Sequence, residues 1–97
     1  MTNRVITRRL MIEGRVQGVG YRAALADQAT LLDVIGWVRN RRDGSVEALL
    51  RGDPDAVQAL IDWSRTGPPG AIVSAIRVVD EAVSCHIAPA FRITATE

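Results

Sequence analysis

The chain has 97 residues, of which 47% are hydrophobic and 24% charged, and this balance predicts one globular domain over residues 1–97 rather than a multidomain enzyme. Twelve basic and eleven acidic residues leave a net charge of +1, so the composition does not favour nonspecific binding to nucleic acid. No apolar run approaches the ~20 residues that a bilayer span needs, and no signal peptide is recognisable, so we expect a cytoplasmic protein without a membrane partner.

The first third of the chain predicts a strand, a loop and a helix. Arg8–Glu13 alternates with the two-residue period of a half-buried strand and places Leu10 and Ile12 on one face. Tyr21–Leu32 is rich in alanine and leucine and predicts a helix. The apolar stripe of this helix contains Tyr21, Leu25, Ala29 and Leu32.

Two further strands are predicted at Ile35–Arg41 and Ser45–Arg51. Asp43-Gly44 lies between them and is a strong hairpin signal, because a type I′ turn needs residues that accept a positive φ. The two strands are therefore predicted to pair antiparallel.

The second half of the chain predicts one helix and two strands. Asp53 can accept hydrogen bonds from the free N–H groups at a helix start, and Pro54 suits the first helical turn. The Gly-Pro-Pro-Gly segment at 67–70 ends this helix. A strand is predicted at Ile72–Val79, and the alternating tail Phe91–Thr96 predicts a last strand, either at an edge or in the centre of the sheet. The buried face of the helix is predicted to contain Val57, Leu60, Ile61 and Ser64.

The resulting order is β-α-β-β-α-β with a short C-terminal strand. This order predicts an α+β fold, a ferredoxin-like split β-α-β sandwich in which two helices cover one face of an antiparallel sheet.

The segment Gly14–Arg22 is the first that points to chemistry. Its glycines allow backbone N–H groups to converge, and the following helix N-terminus adds partial positive charge, which together suit a phosphate. The candidate phosphate-binding loop consists of Gln17, Gly18, Val19, Gly20, Tyr21 and Arg22. Arg22 can offer two parallel N–H donors to a phosphoryl group. On its own the segment has a plainer interpretation, because most glycine-containing turns only redirect the chain and most arginines on helix surfaces are solvated.

A second segment, 36–46, contains the candidate Asn40. By strand alternation Asn40 shares a face with Val38, whereas Trp37 and Arg39 point to the other face. A carboxamide can accept one proton of a water molecule and so orient it. The plainer interpretation is an asparagine that caps the hairpin backbone.

Together these two stretches resemble the acylphosphatase family. The stretches read Ile12-x-Gly14-x-Val16-Gln17-Gly18-Val19-x-Tyr21-Arg22 and Gly36-Trp37-Val38-Arg39-Asn40, followed by Gly44, Val46 and Gly52. The resemblance continues through the helix start at Asp53-Pro54 and the break at 67–70 to Val78, and it implies the same ferredoxin-like sandwich. Tyr21 stands where the family more often has phenylalanine. Asp33 stands where the family commonly has glycine, at a position that suits a left-handed backbone.

The resemblance implies an acylphosphatase, a hydrolase that cleaves the carboxyl–phosphate anhydride of small acyl phosphates to carboxylate and inorganic phosphate. In the family the loop arginine binds the substrate phosphate together with the loop amides, and the strand asparagine positions the attacking water. The matching catalytic residues are Arg22 and Asn40. Backbone N–H groups and one guanidinium can meet the charge of phosphoryl transfer without Mg²⁺, so we expect no metal and no cofactor. The expected partners are a small acyl phosphate and, as product and inhibitor, inorganic phosphate; we expect no nucleic acid, and a chain that acts as a monomer.

The other reactive side chains exclude several kinds of site. A single Cys85 cannot form an internal disulfide, and with the single His86 it cannot supply the four ligands of a structural zinc site. All twelve basic residues are arginine, which excludes lysine Schiff bases and the lysine of a Walker A loop. Arg39, Arg41 and Arg42 form a basic cluster that either attracts an anion or is a solvated hairpin, the plainer interpretation.

Two alternatives stay open on the sequence. The same fold hosts noncatalytic binding modules, including RNA-binding ones, although the four aromatic residues are scattered rather than displayed on central strands. A related domain could act on carbamoyl phosphate within a larger maturation enzyme, but such domains carry large C-terminal extensions and this sequence ends at Glu97.

Overall fold

The structure is a computed structural model that describes residues 4–82 and 87–97. The elements are β1 Ile6–Arg15, α1 Tyr21–Leu31, β2 Ile35–Asn40, β3 Val46–Gly52, α2 Pro54–Ser64, β4 Ile72–Asp80 and β5 Phe91–Ile93. This is the predicted order, and the α+β, ferredoxin-like fold is confirmed. The predictions for Cys85 and His86 lie outside the described residues.

The strands form one five-stranded sheet in the order β4-β1-β3-β2-β5. β1 pairs antiparallel with β3 and β4, and β2 pairs antiparallel with β3. β5 pairs parallel with β2 at the edge of the sheet, a pairing that the sequence had left open, so the otherwise antiparallel sheet has one parallel pair. The reason is geometric: β4 ends beside the start of β1, which is the end of the sheet where β2 also begins, and β5 starts at that same end.

The tail after β5 continues alongside β2. The N–H of Thr94 donates to the carbonyl of Val38 at 2.9 Å, and the N–H of Glu97 donates to the carbonyl of Asn40 at 3.1 Å. The C-terminal end of β2 is therefore held on both sides, by β3 and by the tail.

The core lies between the helices and one face of the sheet. The alternation predicted for β1 is confirmed, because Leu10 and Ile12 are fully buried. The helices contribute the predicted faces, and Trp63 packs against the core from α2. The buried helix residues are Tyr21, Leu25 and Ala29 of α1, and Val57, Leu60, Ile61 and Ser64 of α2.

The helix ends follow local sequence signals. The side chain of Asp53 accepts a hydrogen bond from the N–H of Asp55 at 3.1 Å, and Pro54 occupies the first turn of α2, as predicted. Asp33 follows α1 with φ 57°, a left-handed conformation in which glycine would be more comfortable. The N–H of Asp33 donates to the carbonyl of Thr30, and the N–H of Val34 to that of Ala29, the paired bonds of a Schellman motif.

The β2–β3 hairpin is confirmed, but the predicted type I′ turn is wrong. Only Gly44 has a positive φ in this turn, whereas a type I′ turn requires a positive φ at both central residues. The N–H of Gly44 donates to the carbonyl of Arg41, and the N–H of Arg41 to the carbonyl of Ser45. These bonds define a three-residue loop that ends in a glycine bulge. Asp43 stabilises it by accepting hydrogen bonds from both the N–H and the hydroxyl of Ser45, at 2.9 and 2.6 Å.

Candidate active site

A cleft of about 200 Å³ lies where the β1–α1 loop meets the end of β2. Its lining residues are Val16, Gln17, Gly18, Gly20, Tyr21, Arg22, Ala23, Asn40 and Ile93. The volume is several times the ≈ 30 Å³ that one water molecule occupies in the liquid, so a tetrahedral anion and a water fit together. The two candidates Arg22 and Asn40, far apart in sequence, line this one cleft.

The loop turns into α1 through residues with left-handed backbone. Gly18 has φ 75° and Gly20 has φ 76°, and a Cβ built at either position would meet nothing within 4 Å. Because a side chain would have room at Gly18 and Gly20, glycine is favoured at these positions by the positive φ and not by lack of space. The absence of side chains also leaves the loop backbone accessible from the cleft.

The N-terminus of α1 has no cap from any residue that the structure describes. Gly20 is the N-cap residue, no described side chain bonds to the free N–H groups, and the first turn contains no acidic residue. α2, by contrast, has the Asp53 cap and an acidic Asp55. The start of α1 therefore presents unsatisfied donors and a partial positive charge beside the cleft.

Two predicted loop residues use their side chains elsewhere. The amide Nε2 of Gln17 donates to the carbonyls of Arg41 at 2.8 Å and Ser45 at 2.9 Å, so it ties the loop to the β2–β3 hairpin. Val19 packs against the core and is absent from the lining of the cleft. Their contribution to anion binding thus falls to their backbone.

Arg22 lies in the first turn of α1, half-buried in the wall of the cleft. Among the described residues, no ion pair or hydrogen bond occupies its guanidinium. Its donors are therefore available to an anion in the cleft.

Asn40 is the last residue of β2 and, as predicted from alternation, lies on the same face as the buried Val38. Its Oδ1 is buried and has no hydrogen-bond partner among the described residues. A buried polar atom without a partner costs about 1–3 kcal/mol, so this oxygen favours a ligand that donates to it.

Tyr21 anchors the start of α1 against α2. Its hydroxyl donates to the carbonyl of Ser64 at 2.7 Å, and its ring packs 5.9 Å from that of Trp63, centroid to centroid. Burial raises the pKa of Tyr21 to about 12, and the side-chain hydroxyl of Ser64 partly offsets this rise. A phenylalanine at this position would keep this ring packing and lose the hydroxyl.

Three lining residues were missed by the sequence reasoning: Val16, Ala23 and Ile93. Val16 and Ala23 flank the predicted loop, so a wider window would have included them. Ile93 reaches the cleft only because β5 pairs parallel with β2, and the sequence left that pairing open.

Comparison with known proteins decides the family. The sequence model described as Acylphosphatase matches residues 8–93. The chain belongs to the acylphosphatase family. An acylphosphatase of Acidovorax sp. (strain JS42) is 56% identical over 80 residues, which cover 82% of this chain and 81% of that protein.

Solved acylphosphatases have the same fold. The structure of an acylphosphatase from Coxiella burnetii superposes with a TM-score of 0.86 at 31% identity and covers 93% of both chains. That from Bacillus subtilis superposes with a TM-score of 0.85 at 34% identity, covering 92% of this chain and 98% of its own. The chain is thus a hydrolase that acts on acyl phosphates, so the alternative of a noncatalytic binding module is wrong. Among the described residues, no helix has the length and apolar character of a membrane span.

Proposed function

We propose that the protein hydrolyses small acyl phosphates by in-line attack of a water oriented by Asn40 on a phosphoryl group held by Arg22 and the backbone amides of residues 17–22. The proposal is carried by three groups that converge in one cleft and that no described residue satisfies: the N-terminus of α1, the guanidinium of Arg22 and the buried carboxamide oxygen of Asn40. Without a ligand, the N–H groups and the guanidinium have no acceptor and the carboxamide oxygen has no donor. A phosphoryl dianion with one water would supply partners for all three groups.

The donors in the cleft suit the charge that develops in the reaction. Phosphoryl transfer spreads negative charge over three equatorial oxygens, and backbone N–H groups with one guanidinium can contact each of them. Donors held in place before the reaction need no reorganisation, which is where much of the rate enhancement arises.

The roles of Arg22 and Asn40 are complementary. A bidentate Arg22 would bind two phosphoryl oxygens and fix the orientation of the group. The Oδ1 of Asn40 would accept one proton of the attacking water and direct its lone pair at phosphorus. Because both residues are fixed on α1 and β2, the water and the phosphoryl group would meet in a set geometry.

The substrate should be an anhydride rather than an ester. None of the described residues that line the cleft is Asp, Glu or His, and the hydroxyl of Tyr21 already donates to the carbonyl of Ser64, so no group there is suited to protonate a leaving alkoxide. A carboxylate is a weak base and leaves without protonation. The amide, guanidinium and carboxamide donors also suit an anion better than a hard cation, which fits a reaction without a metal.

The test is a hydrolysis assay with benzoyl phosphate and a phosphate monoester side by side, with and without EDTA. We expect turnover of the anhydride only, unchanged by EDTA. Comparable turnover of the monoester, or inhibition by EDTA that Mg²⁺ reverses, would contradict the proposed mechanism.

Arg22→Ala supplies the matching variant. Loss of a main oxyanion donor costs about 2.7–4 kcal/mol of transition-state stabilisation, so turnover should fall about a hundredfold to a thousandfold. Arg65→Ala, which removes an exposed arginine at the end of α2, is the control and should keep full activity. A fully active R22A enzyme would refute the role of the guanidinium.

We also propose that the protein works as a single-domain cytoplasmic monomer, with inorganic phosphate as product and competitive inhibitor and without a nucleic-acid partner. The net charge of +1 supports the last point. Sedimentation at the mass of one 10.5 kDa chain would support the monomer, and a dimer would contradict it.

A further inference from the structure

Glu47 is a fully buried carboxylate on the face of the sheet that the helices leave uncovered. Its neighbours in β3, Val46 and Ala48, are buried on the helix side, so Glu47 points the opposite way. Its accessible surface is nevertheless 0%, because arginine side chains lie over it. The proposed reaction does not use this group.

Three guanidinium groups bind the one carboxylate. Arg9 donates to Oε2 of Glu47 from β1. Arg39 donates to Oε1 through Nε at 2.8 Å, and Arg41 donates to the same oxygen through Nη1 at 3.2 Å. Burial alone would raise the pKa of Glu47, but the hydrogen bonds from Arg9 and Arg39 outweigh it and hold the pKa below its ordinary value. The group is therefore ionised and firmly held.

These contacts change the interpretation of the arginine cluster as a solvated hairpin for Arg39 and Arg41, whereas Arg42 is exposed. Arg39 and Arg41 are bound to Glu47, and the guanidinium of Arg39 also lies over the ring of Trp37, 4.6 Å from its centroid. These side chains cover the open face of the sheet rather than extending into solvent.

The two residues that Glu47 holds on β2 and the hairpin are the immediate neighbours of Asn40. Strand alternation places Arg39 and Arg41 on the open face and Asn40 in the cleft. The Oδ1 of Asn40 has no partner among the described residues, so its position depends on the backbone that carries it. If the end of β2 rotated about its axis, the carboxamide of Asn40 would move, and the contacts of Arg39 and Arg41 with Glu47 would be stretched or broken.

Arg41 adds a link to the loop. Its side chain contacts Glu47, while its carbonyl accepts the hydrogen bond of Gln17. The same residue thus connects the carboxylate on the open face with the loop that borders the cleft.

We propose that Glu47 is a positioning residue for hydrolysis, which fixes the orientation of Asn40 by holding Arg39 and Arg41 on the opposite face of the sheet. This inference rests on the proposed function, in which Asn40 orients the water. A displacement on the scale of 1 Å in such a group costs up to about a hundredfold in rate, so a contact remote from the chemistry can matter.

The first experiment compares Arg39→Met and Arg41→Met with Arg9→Met. Each of the three variants removes one arginine from Glu47, but only Arg39 and Arg41 flank Asn40. We expect kcat to fall about tenfold or more in R39M and R41M, with unchanged inhibition by inorganic phosphate. R9M should keep kcat within about twofold of the original enzyme, since its contact lies on β1. An equal loss of kcat in R9M, or none in R39M and R41M, would overturn the proposal.

A double-mutant cycle tests whether Glu47 acts through Asn40. Glu47→Gln should lower kcat in the original background and have little further effect in an Asn40→Ala background, because a residue that acts only through another loses its effect with it. If N40A is slow and E47Q lowers its kcat by the same factor as in the original enzyme, the role of Glu47 is overturned while the proposed function stands. Full activity of N40A would refute the proposed function and this inference with it. If circular dichroism shows that E47Q does not fold, R39M and R41M replace it in the cycle.

Discussion

Because Tyr21 is buried beside the cleft, we expect the free energy of unfolding to fall at alkaline pH. Tyr21 is the only tyrosine of the chain, and the chain has no lysine, so above pH 10 few other groups titrate. Burial raises the pKa of Tyr21 from 10.0 to about 12, which means that the folded state keeps the phenolic proton when the unfolded state has already lost it.

The sign follows from this difference in proton binding. Below pH 10 both states are protonated and the full contribution of Tyr21 is present; it is lost as the pH rises toward 12. Each pH unit in this window removes about 1.4 kcal/mol of the free energy of unfolding. Two units therefore remove about 3 kcal/mol.

Tyr21→Phe isolates this effect. Near neutral pH we expect the variant to be about 1 kcal/mol less stable, because it loses the hydrogen bond to the carbonyl of Ser64 while keeping the ring contact with Trp63. Toward pH 12 the order should reverse, since phenylalanine cannot ionise. The measurement is urea unfolding of both proteins across the alkaline range, together with tyrosinate absorbance of the folded protein. Parallel stability curves, or a folded protein whose tyrosine titrates near pH 10, would refute the reasoning.

Three other predictions use single substitutions. Asn40→Ala should lower kcat and leave competitive inhibition by phosphate largely intact; a collapse of phosphate affinity would instead make Asn40 a binding residue. Asp33→Gly should raise the free energy of unfolding by up to about 1 kcal/mol, because it relieves the φ of 57°, and a thermal melt with no gain would contradict this. Gly36→Ala should lower it by roughly 3–5 kcal/mol, since a Cβ would lie 1.8 Å from the carbonyl oxygen of Leu49, and an unchanged urea midpoint would rule out that clash.

Local sequence signals predicted much of the fold, and they also predicted which way Asn40 points in the site. Alternation predicted the buried face of β1 and the direction of Asn40, because side chains of a strand change sides at every residue. The cap at Asp53 followed equally from neighbouring residues, whereas the left-handed backbone at Asp33 was an expectation from the family resemblance. The turn of the β2–β3 hairpin was the exception: one dipeptide is compatible with several turns, and the three-residue loop ending in Gly44 was not the one predicted.

What the amino-acid sequence determined by itself is therefore what depends on residues close together along the chain: the order of the elements, their buried faces, and the loop that enters α1. Only the tertiary structure decided that β5 runs parallel to β2 and places Ile93 in the cleft. It also decided that Glu47 lies beneath arginines from two other parts of the sheet. The physical reason is that strand pairing joins backbone groups that every residue has, so direction and register depend on where the rest of the sheet leaves a free edge.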